Sequence, residues 1–292
     1  MNGGKWLRPS SVDESRIISS ANLLLPRVGF SARSLKRLIH EDPHYSDDLS
    51  GVHVDETGVV DGCYIVSLDK DGLRAWIKLI YAHPSCATEL SSSLDELLSS
   101  LVEMRIKEVR VSDRAGFHFR AGIEGGQRIE RNLLEAKGFR VVRSVADLEV
   151  DLSLFDKFRP PRFEKNGFTF GPPDNVEALL GFVEANFGLN WKRETEESLK
   201  YGGVIQAKNG VNIAGFADYS GFEETWFGPI GVAEQYRERG IGSELLFAAL
   251  TRMRERGVCH ATIPWTEHLT FYGQTDAIVG VRNLYIMSKK LL

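Results

Sequence analysis

The sequence predicts an α/β (α+β) protein of two similar domains, each a mixed, mostly antiparallel sheet flanked by helices. Three observations carry this. At 292 residues the chain exceeds the size at which a single hydrophobic core keeps growing. Residues 225–257 read as strand, glycine turn and helix, with the apolar period changing from that of a strand to that of a helix. A worn copy of the same element order lies in the first half.

Taken in order, residues 62–68 and 73–81 are alternating or apolar strands around Asp69-Lys70-Asp71-Gly72, a good hairpin turn. A helix runs through Leu94, Leu97, Leu98 and Leu101, a strand through 106–111, and residues 133–139 close a further helix with Gly138-Phe139. Pro160-Pro161 blocks helix and sheet ladder alike. It places a linker at 158–164 between domains 1–157 and 165–292. Beyond it come a short strand at 168–170, an amphipathic helix at 175–187 and a charged helical stretch at 191–199. Strands at 204–207, 213–219 and 225–232 turn at 208–210 and 220–221. In the next helix Ile241, Leu245, Leu246, Ala249, Leu250 and Met253 share one face, and Gly257 stands where a C-terminal cap belongs.

Composition removes several function classes. A net charge of −4 gives no general attraction to nucleic acid or to anionic membrane, so neither is expected as a partner. Cys63, Cys86 and Cys259 are widely spaced with no C-x-x-C, which fits a reducing cytoplasm and argues against a disulfide framework or a zinc site. His40 and His44 are four apart, but Pro43 interrupts any helix between them. No metal is expected. No apolar run reaches bilayer length, and residues 21–25 are too few for a signal-peptide core, so the expected location is cytoplasmic.

The chemistry concentrates around Gly240 and Gly242. A glycine turn opening a helix offers unpaired backbone N–H groups and the positive end of the helix dipole to an anion. Arg237 and Arg239 add charge at the same place. There is no G-x-x-x-x-G-K-[ST] and no three-glycine dinucleotide spacing. Pro229, inside the preceding strand, lacks an N–H and suits a strand that bulges.

Arg237-x-x-Gly240-x-Gly242, after an apolar strand ending at Val232, resembles the acetyl-CoA pyrophosphate loop of the GNAT acetyltransferase superfamily. Phe271-Tyr272 match the pair that begins that family's last helix. The family's following Gly-Phe is replaced by Gly273-Gln274-Thr275-Asp276-Ala277, so a short or distorted helix is expected. The resemblance implies a tandem GNAT arrangement with a splayed central strand pair, acetyl-CoA as cosubstrate and a small-molecule amine as acceptor. It implies cofactor contacts at Ile230, Val232, Arg237, Glu238, Arg239, Gly240, Ile241, Gly242 and Ser243. Tyr272 would protonate the departing thiolate. Glu224 leads the candidates for general base, with Asp218, Glu223, Glu267 and His268 behind it. Trp226 and Trp265 read as core, and Trp191 as the better acceptor-facing aromatic. The 227–232 run, Ile263-Pro264-Trp265-Thr266 and Phe271-Tyr272 look like glucosamine or glucosaminide N-acetyltransferases. Two rival readings are a non-catalytic acyl-CoA-binding regulatory module and a nucleotide-phosphate binder.

Sliding the second half over the first sets Arg237, Gly240 and Gly242 on Cys86, Glu89 and Ser91, and Tyr272 near Leu134. A carboxylate where a pyrophosphate should sit is unfavourable. The first half is therefore expected to keep the fold and to have lost the cofactor site.

Overall fold

The computed structural model describes residues 4–25, 29–113, 117–155 and 162–292. The chain divides into two compact units, one of Met1–Val145 with Asn283–Leu292 and one of Ala146–Arg282. Residues 158–161 of the expected linker lie outside the described residues. Among the described residues no helix is long and apolar enough to cross a membrane.

The first unit contains β1 (Lys5–Leu7), α1 (Glu14–Leu24), α2 (Ala32–Ile39), β2 (Gly51–Val54), β3 (Val60–Leu68) and β4 (Arg74–Ala82). It continues with α3 (Ala87–Glu103), β5 (Glu108–Val111), β6 (Ile123–Glu124), α4 (Arg128–Ala136) and the start of β7 (Arg140–Asp151). Strands β1 to β4 are antiparallel neighbours, and β5 is parallel to β4. A parallel pair needs a crossover, which α3 supplies. Its predicted face, Leu94, Leu97, Leu98 and Leu101, is buried in one cluster with Ile77, Ile80, Val109 and Val111. The 69–72 turn forms as expected: Gly72 donates to Asp69 O at 3.0 Å and takes φ +64.

Only residues 74–77 of β4 pair with β5, so residues 78–82 have, among the described residues, an edge without a strand beside it. His83 donates to Asp61 O at 2.7 Å, which fixes the alternation: the amides of Ala82 and Ile80 point away from β3. That edge is occupied from within the unit. Ala82 N–H donates to Glu130 Oε1 at 2.9 Å, and Gln127 Nε2 donates to Ile80 O at 3.0 Å.

The second unit holds the end of β7, β8 (Glu164–Lys165), β9 (Phe168–Gly171), α5 (Val176–Phe187), α6 (Leu189–Tyr201), β10 (Gly203–Asn209), β11 (Asn212–Tyr219) and β12 (Phe227–Val232). Then come α7 (Ile241–Glu255), β13 (His260–Thr266), α8 (Leu269–Gly273) and the start of β14 (Ile278–Lys290). The sheet order is β12-β11-β10-β9-β8, antiparallel throughout. One face carries α7, whose six predicted apolar residues are all buried, with Phe168, Ile205 and Ala217 in the same cluster. The other carries α5 and α6 over Leu179, Val183, Val204 and Phe216. Asn175 caps α5 by accepting from Ala178 N at 2.9 Å. Gly257, at φ +90, ends α7, with Val258 N reaching back to Met253 O at 3.1 Å.

Candidate active site

β12 has β11 on one side only. Residues 217↔230 and 219↔227 pair across them, which leaves Asp218 opposite both Gly228 and Pro229. This is a bulge, and it accounts for a proline in mid-strand, because the extra residue owes the ladder no N–H. On its other side, among the described residues, the pairing with β13 is confined to the start of β12. Trp226 and Thr262 form a parallel bridge, and Thr262 N donates to Thr225 O at 2.7 Å. β13 then pairs with β7 at residues 146–151, so β12 and β13 open into a V.

The alternation of a strand decides which groups face that opening. Ala233 N donates to Ala214 O at 2.9 Å, so the amides of Ala233 and Gly231 serve β11. Those of Ile230 and Val232 point into the V.

The predicted anion turn closes the wide end. After a single 3-10 turn at Glu234–Tyr236, Glu238 takes φ +62 and Gly240 φ +76, and Gly240 stands at the N-cap of α7 with no side-chain cap. The first ladder bond is Glu244 N to Gly240 O at 3.3 Å. The amides of Ile241, Gly242 and Ser243 precede it, the orphan donors of a helix N-terminus. Arg237 Nε donates to Val232 O at 3.2 Å, and Arg239 lies over the Tyr236 ring. Gly242 is packed closely: a Cβ there would stand 3.3 Å from Phe271 Cε2.

That contact brings α8 to the turn. α8 spans only five residues, the short helix its sequence announces. Tyr272 is 8% exposed and lies edge-on to Phe271 and to Phe227 of β12, with ring centroids 4.9 and 6.2 Å away. Burial pushes its phenol up to about 12, so it carries its proton at neutral pH. The splayed strand, the anion turn and the tyrosine thus assemble in one unit.

Residues 163–270 match the model of the Acetyltransferase (GNAT) family. This segment is a GNAT acetyltransferase domain. Solved structures share the fold. The chain is similar to a GCN5-related glucosamine N-acetyltransferase region of a fungal multi-domain GH3 β-N-acetylglucosaminidase: TM-score 0.72, 18% identity, covering 99% of this chain and 38% of that one. It is similar to a GCN5-related N-acetyltransferase from Sphaerobacter thermophilus, with TM-score 0.69, 16% identity and coverage of 98% and 95%. A tandem GNAT protein from the clavulanic acid biosynthesis pathway, solved without AcCoA, gives 0.70, 13%, and 99% and 98%. At these identities the likeness speaks for the fold. No curated protein matches the chain by sequence.

The other sequence-derived candidates are distributed around the GNAT domain. Glu224 is exposed in the turn before β12, and its backbone carbonyl accepts from Ser220 Oγ at 2.6 Å. Glu223 is buried, while Glu267 and His268 are exposed. Trp226 is core, Trp265 is half-buried, and Trp191 stacks on Phe187 at 5.1 Å beside Phe216. Two groups at the anion turn escape sequence reasoning. Glu244, fully buried in the first turn of α7, is paired at 3.0 Å with Lys165 of β8, whose Nζ comes within 3.0 Å of where a Gly240 Cβ would be. The signal is a charge within the apolar Ile241–Leu245 stripe. Its partner is 79 residues away and leaves none.

Asp218 is the most unusual of the candidates. Its side chain is fully buried opposite the bulge, facing the hydroxyls of Thr195 and Ser198 on α6. Burial holds its carboxyl well above the ordinary carboxylate range; the hydroxyls of Thr195 and Ser198 on α6 offset part of that, and Glu194 adds to it. A carboxyl raised in the native state is neutral in both states below the unfolded value of about 3.9. As pH rises above that value the unfolded chain ionises first, and stability drains away. Asp218→Asn removes the linkage. The variant should be more stable than wild type at pH ~8, with the gain vanishing as pH falls toward ~4, as paired urea melts would show.

Proposed function

We propose that the chain is an N-acetyltransferase moving the acetyl group of acetyl-CoA to a primary amine of a small molecule by direct attack. The observation that supports this best is the shared geometry of β12 and α7: one strand edge presents two free amides to the V while the helix opens its N-terminus at the mouth. In this reading the pyrophosphate lies on the amides of Ile241, Gly242 and Ser243, with the Glu238 to Gly240 backbone, Arg237 and Arg239 around it. The pantetheine amides pair with the free edge at Ile230 and Val232 as an added strand would.

The amine nitrogen attacks the thioester carbonyl carbon, and a C–N bond forms while charge grows on the oxygen. The free amide at Ile230 or Val232 meets that charge, a contribution of about 10²- to 10³-fold where such a donor is removed. The tetrahedral adduct then breaks its C–S bond. Tyr272 donates a hydrogen bond to the departing sulfur, its proton following as charge builds there. The amine's proton passes to a carboxylate, directly or through water. Asp218, fully buried beneath α6, is unsuited to receive it because the amine cannot reach it. Glu224 at the start of β12 remains our choice.

The first unit is proposed to bind no cofactor. Its strand edge is filled by Glu130 and Gln127, and residues 83–86 stand where the second unit has 233–240, so no anion turn is formed. The structural counterpart of Gly240 as helix cap is therefore Cys86, where sliding the sequence sets Glu89. We place the enzyme in the cytoplasm, with its three cysteines free.

Amino sugars head the acceptor panel, since the fungal structure above is a glucosamine N-acetyltransferase region. Release of CoA thiol should be stimulated by at least one amine over the rate in water. Tight CoA binding with no turnover by any amine would mark a regulatory module instead.

A further inference from the structure

In the first unit the fold gathers three side chains from three separate elements. His53 from β2, Asp61 from β3 and Cys86 at the N-cap of α3 each offer one ligand atom, and these atoms lie within 4.8 Å of one another. All three residues are buried, at 3%, 9% and 1% exposure. Gly62 makes room for the thiol: a Cβ there would stand 2.9 Å from Cys86 Sγ.

The cluster is not satisfied by its own hydrogen bonds. His53 Nδ1 and Asp61 Oδ1 are 2.6 Å apart, yet His53 Nε2 is buried without a partner among the described residues. Glu89 lies one turn into α3 from Cys86, close enough for its charge to act on the thiol, and its Oε2 is likewise buried and unpartnered. Its backbone carbonyl accepts from Trp6 Nε1 at 3.3 Å, and the Trp6 ring lies 5.2 Å from that of His53. Two carboxylates, an imidazole and a thiol with two orphaned polar atoms have an unfavourable arrangement by themselves. A dication would resolve it, because orphaned groups and like charges both cost free energy in a buried setting.

We propose that His53, Asp61, Cys86 and Glu89 form a binding site for a zinc-type divalent cation. A thiolate and an imidazole select a borderline-soft metal over magnesium or calcium. Three atoms within 4.8 Å of each other can each lie within about 2.8 Å of a common centre, so a contraction of about half an ångström reaches zinc bond lengths. On binding, the thiol proton leaves to solvent and the sulfur bonds the metal. Glu89, half-buried one turn along α3 and outside the three-donor group, would have to swing in to take the fourth position. Sequence spacing argues against zinc because the donors come from three separate elements, and only the sheet brings them together. Metal here would tie β2, β3 and α3 in the place where the other unit has its anion turn.

The test is cobalt titration of the full chain after treatment with chelator. One Co²⁺ per chain should bind, with thiolate-to-cobalt charge-transfer absorption that zinc abolishes by competition. Cys86→Ser should lose that absorption, and His53→Gln should weaken binding by at least tenfold. Cys63→Ser and Cys259→Ser should leave the spectrum unchanged. Circular dichroism establishes that each variant is folded. Should Cys86→Ser not fold, His53→Gln decides. Failure of the wild type to bind cobalt, absorption persisting in Cys86→Ser, or unaltered affinity in His53→Gln would overturn the proposal.

Discussion

Tyr272→Phe is expected to lower turnover by about 10²- to 10⁴-fold, the range for losing a positioned general acid, while the KM for acetyl-CoA stays near that of wild type. The ring makes the contacts that hold α8 against β12 and Phe271, and phenylalanine keeps them. Only the proton donor goes. Because burial raises the phenol to about 12, the wild-type rate should show no alkaline loss attributable to this proton below pH ~11. A higher pKa also makes a weaker acid. The deficit should therefore shrink for thioesters with more acidic thiols, whose sulfur leaves with less help. A tyrosine serving only in packing would leave turnover unchanged in the phenylalanine variant, whatever the leaving group.

Gly240→Val should reduce CoA affinity by about two orders of magnitude or more, roughly 2.7 kcal/mol. Valine is disfavoured at φ +76, where β-branched side chains pay of order 1–3 kcal/mol. Relaxing that strain turns the amides of α7's first turn away from the ligand, and the added carbons press on the Lys165 ammonium. A matched control lies within the same unit. Gly210, at φ +59 in the β10–β11 turn, has nothing within 4 Å of where a Cβ would stand, so Gly210→Val bears the same backbone cost without touching the anion turn. Calorimetry should find CoA binding intact in that variant. If both valines weakened CoA equally, general loosening of the fold would be the cause.

Much of this is legible in the residues alone, and for local reasons. The six-residue apolar face of α7, the cap at Gly257 and the hairpin at 69–72 follow from periodicity and turn chemistry, which act over a few residues. Pro229 is a better signal than its rarity suggests, since a proline in mid-strand demands a bulge, and the bulge opens the V. What escapes depends on register and on distance. Whether Ile230 or Gly231 faces the cleft is set by the pairing with β11, which shifts at Asp218. The copy in the first unit is recognisable, but sliding it without a gap hides a shortened loop and misplaces Cys86. Asp218 resembles any strand-end carboxylate until its full burial, which raises its carboxyl above the ordinary range, is seen. Lys165 with Glu244, and His53 with Asp61 and Cys86, are pairings that no short-range pattern encodes.

The central claim is that acetyl-CoA occupies one site, in the V between β12 and β13 with its pyrophosphate at the N-terminus of α7. Calorimetric titration of the full chain with acetyl-CoA tests it most directly. One molecule should bind per chain, and its affinity should fall by about two orders of magnitude or more in Gly240→Val. Two molecules per chain, or a single site indifferent to Gly240→Val, would contradict it.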